Sequence, residues 1–205
     1  MALLASLTLP ACTVFGIRSG TEQPRFATLA TVGDVEIRRY DARLAAETVI
    51  EGTEQHARYA GFRRLAGYIV GANRAQAKIA MTVPVGQQEA GTKIAMTAPV
   101  AQEAAGGAHW TIRFYMPAGY TAATLPVPTD PDVRIVTVPA ATYAVRRFSG
   151  LPTPHAVAAE QARLLRTLGP SAWQAQGTPV AWFYDPPWTI PFLRRNEVAV
   201  EVTQK

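Results

Sequence analysis

The sequence has few of the side chains that enzymes most often use. Its 205 residues include one cysteine, Cys12, and three histidines, His56, His109 and His155. One cysteine excludes a disulfide framework within the chain, and no histidine stands at metal-ligand spacing from another ligand residue. The G-x-S-x-G motif of a serine nucleophile and the glycine-rich phosphate loops are also missing. We therefore expect a protein without catalytic activity and without a metal site of its own.

Charge is sparse and mixed in sign. Charged residues make up 17% of the chain and apolar residues 48%, with 20 Lys and Arg against 15 Asp and Glu. The net charge of +5 is scattered, and no nucleic-acid-binding motif accompanies it. No run after the first residues approaches the roughly 20 apolar residues of a membrane helix. These features favour a globular monomer that does not bind nucleic acid.

The N-terminal segment has a composition of its own. Residues 1–11 are apolar and uncharged, and Leu9-Pro10-Ala11-Cys12 resembles a bacterial lipobox. We expect residues 1–24 to form a leader and tether, with Cys12 lipidated, and residues 25–205 to form the folded domain. This arrangement predicts a periplasmic or membrane-anchored lipoprotein. The alternative is a free cysteine in the disordered leader of a cytoplasmic protein.

One eight-residue phrase occurs twice. KIAMTVPV at residues 78–85 returns as KIAMTAPV at residues 93–100. Apolar side chains alternate in each phrase, which predicts two half-buried strands joined as a hairpin. The same alternation predicts that Met81 and Met96 lie in the sheet core.

A weaker repeat divides the chain into halves. Residues 35–52 and 133–150 match at a constant offset of 98 residues, and each is followed by a helix signal, at Thr53 and at Thr153-Pro154. Further strands are predicted at 110–116, 180–184 and 197–203. Neither half can bury both a helix face and a sheet face alone, so we predict one α+β domain with a curved antiparallel sheet.

Two apolar segments stand out as a binding surface. The first helix carries Tyr59, Phe62, Arg63 and Ala66 along one edge. The proline-rich loop 185–195 carries Trp188, Ile190 and Phe192, which are more apolar than a solvated loop needs. Stiff aromatic loops with nearby cations suit a flat apolar ligand with carboxylates, as heme is. The alternative is that Trp188 and Phe192 simply cap one end of the sheet.

Several of these stretches resemble the SOUL family of heme-binding proteins. They are KIAMTAPV, VEIRRYDARLAAETVIEG at 35–52, YIVGAN at 68–73, WTIRFYMPAGY at 110–120, LPVPTDP at 125–131 and YDPPWTIPFLRRNEVAVEV at 184–202. The resemblance implies a distorted antiparallel β-barrel, built from two pseudo-symmetric halves and flanked by two long α-helices. It also implies a tetrapyrrole site between the first helix and the 185–195 loop. The positions that match it are Tyr59, Phe62, Ala66, Gly67, Trp188, Thr189 and Ile190.

The resemblance also leaves the iron and the propionates of a heme to be accounted for. Some family members have basic residues where this chain has Tyr59, Gly67 and Thr189 or Ile190. The propionates would then be contacted by Arg58, Arg63, Arg194 or Arg195. No histidine falls on the expected pocket, so we expect heme, or a related porphyrin, bound without strong histidine ligation. We expect a non-enzymatic carrier or buffer. The alternatives are a GyrI-like effector-binding module for other amphipathic small molecules and an enzyme acting on heme.

Overall fold

A computed structural model describes residues 21–89, 109–186 and 188–205, so Cys12 lies outside the described residues. The described elements are β1 (Phe26–Val32), β2 (Val35–Tyr40), β3 (Arg43–Glu51), α1 (Glu54–Ile69), β4 (Val85–Glu89), β5 (His109–Tyr115), β6 (Arg134–Val138), β7 (Ala141–Phe148), α2 (Pro154–Leu168), β8 (Trp173–Phe183), a 3-10 turn (Pro191–Leu193) and β9 (Asn196–Gln204). None of these helices is long and apolar enough to cross a membrane.

The strands form one antiparallel sheet in the order β1-β2-β7-β9-β8-β4-β5-β3-β6. The predicted α+β class is confirmed, with one large sheet and two helices. The predicted closed barrel is not formed, because β1 and β6 are free edges within the described chain. β1, which the sequence analysis did not predict, pairs along the whole of β2 and forms one of these two edges.

The order of the other eight strands bears on the expected duplication. If each strand of β2–β5 is exchanged with its counterpart in β6–β9, the order of these eight strands across the sheet is unchanged when it is counted from the opposite edge. Superposition of residues 35–71 on residues 133–169 stays a prediction.

Both helices begin where their capping residues predicted. The side chain of Thr53 accepts a hydrogen bond from the backbone N–H of His56, and that of Thr153 accepts one from Ala156, each at 3.2 Å. α1 ends just before Gly71, whose φ of +122° is a conformation that other residues rarely adopt. These local signals therefore determine where both helices begin and where α1 ends.

The two helices cover the same side of the sheet. α1 packs on β3 and β5, and α2 packs on β7, β8 and β9. α1 approaches closely at Gly61, where an added Cβ would lie 2.5 Å from Ile112 Cγ1. The α2 core includes Val35, Ile37, Val157, Leu164, Leu168, Val198 and Val200. The α1 core includes Ala46, Leu65, Tyr68, Ile69, Ile112 and Phe114.

The segment 78–84 is not a strand, so this half of the hairpin prediction is wrong. Its backbone is held instead by single contacts: Ile79 N–H donates to the Ile69 carbonyl at 2.8 Å, and Val83 N–H donates to Glu22 at 3.1 Å. Regular pairing starts at Val85, after a proline that cannot donate. Met81 is 41% exposed, which contradicts its predicted core position. The second phrase, with Met96, lies outside the described residues.

Candidate functional site

The predicted helix residues lie along the outer edge of α1. Tyr59 and Phe62 are 53% and 39% exposed. Arg63 is exposed as well, and Ala66 and Gly67, one turn further on, are half-buried. α1 therefore presents two aromatic side chains and one cation to a ligand.

The predicted loop residues divide into two groups. Trp188 and Phe192 are 63% and 71% exposed, which is unusual for side chains of this size. Ile190 is half-buried. Thr189 is 1% exposed, and its carbonyl accepts a hydrogen bond of 2.8 Å from Arg194 Nε. The loop can offer a ligand its tryptophan and its phenylalanine, whereas the Thr189 side chain lies beneath the surface.

The segment 150–152 makes hydrogen bonds both to α1 and to the 185–195 loop. Arg58, in the second turn of α1, donates from Nη1 to the carbonyl of Pro152 at 2.7 Å. Gly150 N–H donates to the carbonyl of Pro191 at 2.9 Å. Leu151, between these two contacts, is 54% exposed. We call the following exposed side chains the helix–loop surface: Tyr59, Phe62, Leu151, Trp188 and Phe192.

Three of the four arginines expected at propionates have other partners. Arg58 donates to Glu54 at 2.7 Å and its guanidinium lies 4.0 Å from the Phe183 ring centroid. Burial lowers the pKa of Arg58 despite the nearby Glu54 carboxylate. Arg195 pairs with Glu197 at 2.7 Å, and Arg194 bonds the loop itself. Of the four arginines, Arg63 is the exposed one, and it lies on α1 one turn after Tyr59.

Among the described ranges, no group of three or more His, Cys, Asp or Glu side chains could hold a free metal ion. A heme iron needs only one or two axial ligands. His56 is the histidine nearest to the helix–loop surface in sequence, one turn before Tyr59. Arg63 is an exposed cation on the same helix.

A buried polar network lies on the inner face, the side of the sheet opposite the helices. Its centre is Glu197, which is fully buried. Arg38 donates to both oxygens of its carboxylate, at 2.9 and 3.2 Å. Tyr184 donates its hydroxyl at 2.6 Å and Arg195 donates Nη2 at 2.7 Å. One buried carboxylate is therefore shared by two arginines and a tyrosine.

This network shifts the pKa values of its members. Burial would raise the pKa of Glu197, but Arg38 and Arg195 outweigh it, so the pKa is lowered. Burial raises the pKa of Tyr184 well above its usual range, and Glu197 raises it further. Both shifts favour an ionised Glu197 and a neutral Tyr184, which is the pair of states that the hydrogen bond from Tyr184 to Glu197 requires.

An aromatic cage lies next to this network. The guanidinium of Arg43 lies 4.6 Å from the ring centroid of Tyr40, 4.7 Å from that of Tyr115 and 5.9 Å from that of Tyr143. Arg43 Nε is buried without a hydrogen-bond partner among the described residues. Burial raises the pKa of Tyr40 to about 12. The protein's own arginine thus fills the cage by cation–π contacts.

Beyond Tyr143 the inner face opens into a cavity of about 480 Å³, which we call the inner cavity. β3, β5 and β6 supply one wall of the cavity, and β7, β8 and β9 supply the other. The two-residue link Pro139-Ala140 joins β6 in the first wall to β7 in the second. Its lining comprises Glu47, Gln88, Arg113, Val136, Thr137, Val138, Pro139, Tyr143, Gln176, Gly177, Thr178, Val180 and Glu201.

The sequence analysis missed the inner face. Its signal lies in the alternation of strands already recognised: Tyr143 and Val145 point inward on β7, and Glu197 and Glu201 point inward on β9. Alternation of this kind ordinarily indicates a solvated face. The sequence therefore offered no reason to expect the buried Glu197 network on that side of the sheet.

Comparison with known proteins adds the family and the fold. The family model of the SOUL heme-binding protein matches residues 21–89 and 85–201. No relative is found among curated proteins.

Solved structures share the fold at low sequence identity. The EcmrR C-terminal domain is 8% identical, with a TM-score of 0.58 over 83% of this chain and 98% of that one. EcmrR in a complex with DNA gives the same TM-score and identity over 83% of this chain and 57% of that one. A hydrolase encoded by lin2189 from Listeria innocua is 12% identical, with a TM-score of 0.54 over 85% and 94% of the two chains.

At these identities the structures support the fold alone, whereas the family model covers most of the chain. The protein therefore belongs to the SOUL heme-binding protein family.

Proposed function

We propose that this protein binds heme or a related tetrapyrrole on the helix–loop surface and acts as a non-enzymatic carrier or buffer. The observation that carries the proposal is the exposure of Trp188 and Phe192, 63% and 71%, in a loop joined to α1. Exposed apolar patches of this kind mark ligand or partner sites. Membership of a heme-binding family supports a tetrapyrrole as the ligand.

The shape and charge of the surface agree with this ligand. Tyr59 and Phe62 on α1 and Trp188 and Phe192 on the loop offer ring faces and edges to a wide apolar macrocycle. Arg63 offers a guanidinium that can donate two parallel hydrogen bonds to a propionate carboxylate. A bound heme would supply a redox-active iron and a strong visible absorbance. The side chains named here would bind and orient it.

The iron is proposed to have no strong protein ligand. His56 lies in the first turn of α1, where its backbone N–H donates to the capping Thr53 side chain, one turn before Tyr59. Most of the binding energy would then come from apolar contact, at roughly 25 cal/mol per Å² of buried apolar surface.

A hemin titration followed by Soret absorbance tests the proposal. An aromatic side chain that loses on the order of 80 Å² of contact costs about 2 kcal/mol, so Trp188→Ala and Phe192→Ala are each expected to weaken binding about thirtyfold. The control is Leu29→Ala on β1, which removes a side chain that is 49% exposed and lies outside the surface. Equal affinity for wild type and both loop variants would contradict the proposal. A large shift of the Soret band in His56→Ala would indicate that His56 ligates the iron.

The second candidate function is a binding module for other amphipathic small molecules. The inner cavity of about 480 Å³ favours it, because its volume lies within the range of ligand pockets.

We also propose lipidation at Cys12 and a periplasmic location. Only the sequence Leu9-Pro10-Ala11-Cys12 supports this part.

A further inference from the structure

The first copy of the repeated phrase, residues 78–85, fills a site that we call the phrase site. Ile79 is buried there, and its backbone N–H donates to the carbonyl of Ile69. Thr82 is also buried, and its hydroxyl donates to the carbonyl of Tyr115. The phrase site therefore accepts an isoleucine and, three residues later, a threonine.

The phrase site extends two residues beyond the phrase. Gln87 is buried, and its side-chain amide bonds at both of its ends. Arg58 Nε donates to the Gln87 oxygen Oε1 at 2.8 Å, and Gln87 Nε2 donates to the carbonyl of Glu54 at 2.9 Å. This glutamine joins β4 to the first turns of α1. A segment that fills the whole site therefore needs a glutamine five residues after its threonine.

The second copy of the phrase has each of these side chains at the same spacing. At an offset of 15 residues, the isoleucine, the threonine and the glutamine return as Ile94, Thr97 and Gln102. Eight of the ten residues in 93–102 are identical to those in 78–87. Backbone contacts do not depend on side chains, so the second copy can make those of the first.

The two differences decide which copy fits better. Ala101 corresponds to Gly86, where an added Cβ would lie 3.6 Å from the Tyr115 hydroxyl, an ordinary contact distance. Ala98 corresponds to Val83, which is buried in a core cluster. Alanine lacks two of the carbon atoms that valine buries there, and this loss favours the first copy about tenfold.

The connecting segments exchange lengths when the copies exchange places. With the first copy in the phrase site, the segments on either side are 74–77 and 90–108, four and nineteen residues long. With the second copy there, they are 74–92 and 105–108, nineteen and four residues long. The entropy of loop closure depends on length, so its total is nearly equal for both copies. The four-residue segment is Ala-Gly-Gly-Ala, which suits a hairpin loop.

From the contacts, the repeat and the segment lengths we infer that the phrase site is a docking site for either copy. On the order of one molecule in ten holds residues 93–104 there in place of residues 78–89. The exchange puts Glu103 at the position from which Gln88 lines the inner cavity, and so adds a negative charge to that lining. The inference does not depend on tetrapyrrole binding.

Replacing the isoleucine of each copy tests the inference. Ile79→Asp, Ile94→Asp and the double variant of the full-length protein are compared by urea unfolding. If the second copy takes over, Ile79→Asp lowers the folding equilibrium constant by only about tenfold, the difference between the two arrangements. The double variant has no apolar residue left for the site and should lose more than about a thousandfold. The matched control, Ile94→Asp, should change the constant by less than about twofold.

Methyl NMR shows which isoleucine lies in the phrase site. Ile79 belongs to a core cluster with Tyr68 and Phe114, whose rings shift nearby methyl signals. In Ile79→Asp labelled at the isoleucine δ1 methyl groups, we expect one signal to take over the shifted position of the Ile79 signal. That signal should disappear in the double variant, which assigns it to Ile94.

Three results would overturn the inference. The first is equal stability of Ile79→Asp and the double variant, whether both losses are small or large. The second is a folded Ile79→Asp variant in which the Ile94 methyl signal does not move. The third is a concentration-dependent dimer of Ile79→Asp in light scattering, because the second copy would then dock in another molecule.

Discussion

Replacing Glu197 by glutamine should cost the protein a large part of its stability. The change keeps the shape of the side chain but removes the charge that Arg38 and Arg195 share. Arg38 is then left with its side chain 4% exposed and paired only with Glu36, which is 46% exposed. Removing one partner of a buried ion pair costs about 3–5 kcal/mol. Arg195 is 16% exposed and keeps some access to water, so we expect about 3 kcal/mol.

Urea unfolding followed by far-UV circular dichroism measures the loss of unfolding free energy. In a thermal melt, a protein of 150–250 residues loses about 2–4 °C of Tm per kcal/mol, so a loss of about 3 kcal/mol lowers Tm by about 6–12 °C. The control is Glu36→Gln, which removes the exposed partner of Arg38 and should cost less than about 1 kcal/mol. A Glu197→Gln variant within about 1 kcal/mol of the wild type would refute this account of the inner face.

The same carboxylate predicts how stability depends on pH. The two arginines lower the pKa of Glu197 below its unfolded value. Its contribution is therefore complete above the unfolded pKa and is lost as pH falls through the folded pKa. The wild type should lose stability below about pH 4, and Glu197→Gln should lose less over the same interval. Parallel pH profiles for the two proteins would show that Glu197 does not stabilise the fold.

Three further predictions concern other parts of the molecule. Gly61→Ala places a methyl group against Ile112 and should destabilise by about 1–2 kcal/mol in urea, since overpacking outweighs the gain in helix propensity. Its control is Gly119→Ala, where no atom would lie within 4 Å of the added Cβ and stability should change by no more than about 0.5 kcal/mol. Arg63→Gln should weaken hemin binding about two- to fivefold at low salt, and an effect that does not shrink at high salt would argue against a propionate contact. Cys12→Ser should abolish incorporation of labelled fatty acid in a Gram-negative host and release the protein from membranes. A wild type that stays in the soluble fraction would refute lipidation.

The elements that the sequence predicted correctly are those with local signals. The capping threonines at 53 and 153 mark both helices within a few residues, because a cap acts on the adjacent turn. β1 was missed because its residues are mostly exposed and show no alternation of burial. It is a strand only through its pairing with β2, which is a contact that composition does not encode.

Misassigned residues show where tertiary contacts override a pattern. The segment before Val85 alternates like a strand, yet the Asn73 side chain bonds the backbone of Ala77 at both N–H and carbonyl and starts an irregular course. On α1 the sequence analysis placed Phe62 along the edge expected to face a ligand. Phe62 is 39% exposed, but its ring also contacts the sheet, with its centroid 5.3 Å from that of Phe114. Helical spacing alone does not indicate that second contact.

The two candidate sites also differ in whether local sequence indicates them. Trp188 and Phe192 could be chosen from the sequence because large apolar side chains in a proline-rich loop are unusual wherever the loop lies. The inner cavity could not, because Tyr143 and Glu201 meet Val136 only once the sheet has curled. Curvature of this kind is a property of the whole sheet and of its bulges.

The most direct test of the helix–loop surface uses the protein's own tryptophans. Of the four, Trp110, Trp173 and Trp182 lie in strands, and Trp188 lies in the loop. Zinc protoporphyrin, which is diamagnetic, can be titrated while the four indole N–H signals are followed by 1H–15N NMR, with Trp188 assigned from Trp188→Phe. We predict a large shift of the Trp188 signal and little change in the other three. A shift of Trp182, on the inner face, with Trp188 unmoved would contradict tetrapyrrole binding at the helix–loop surface.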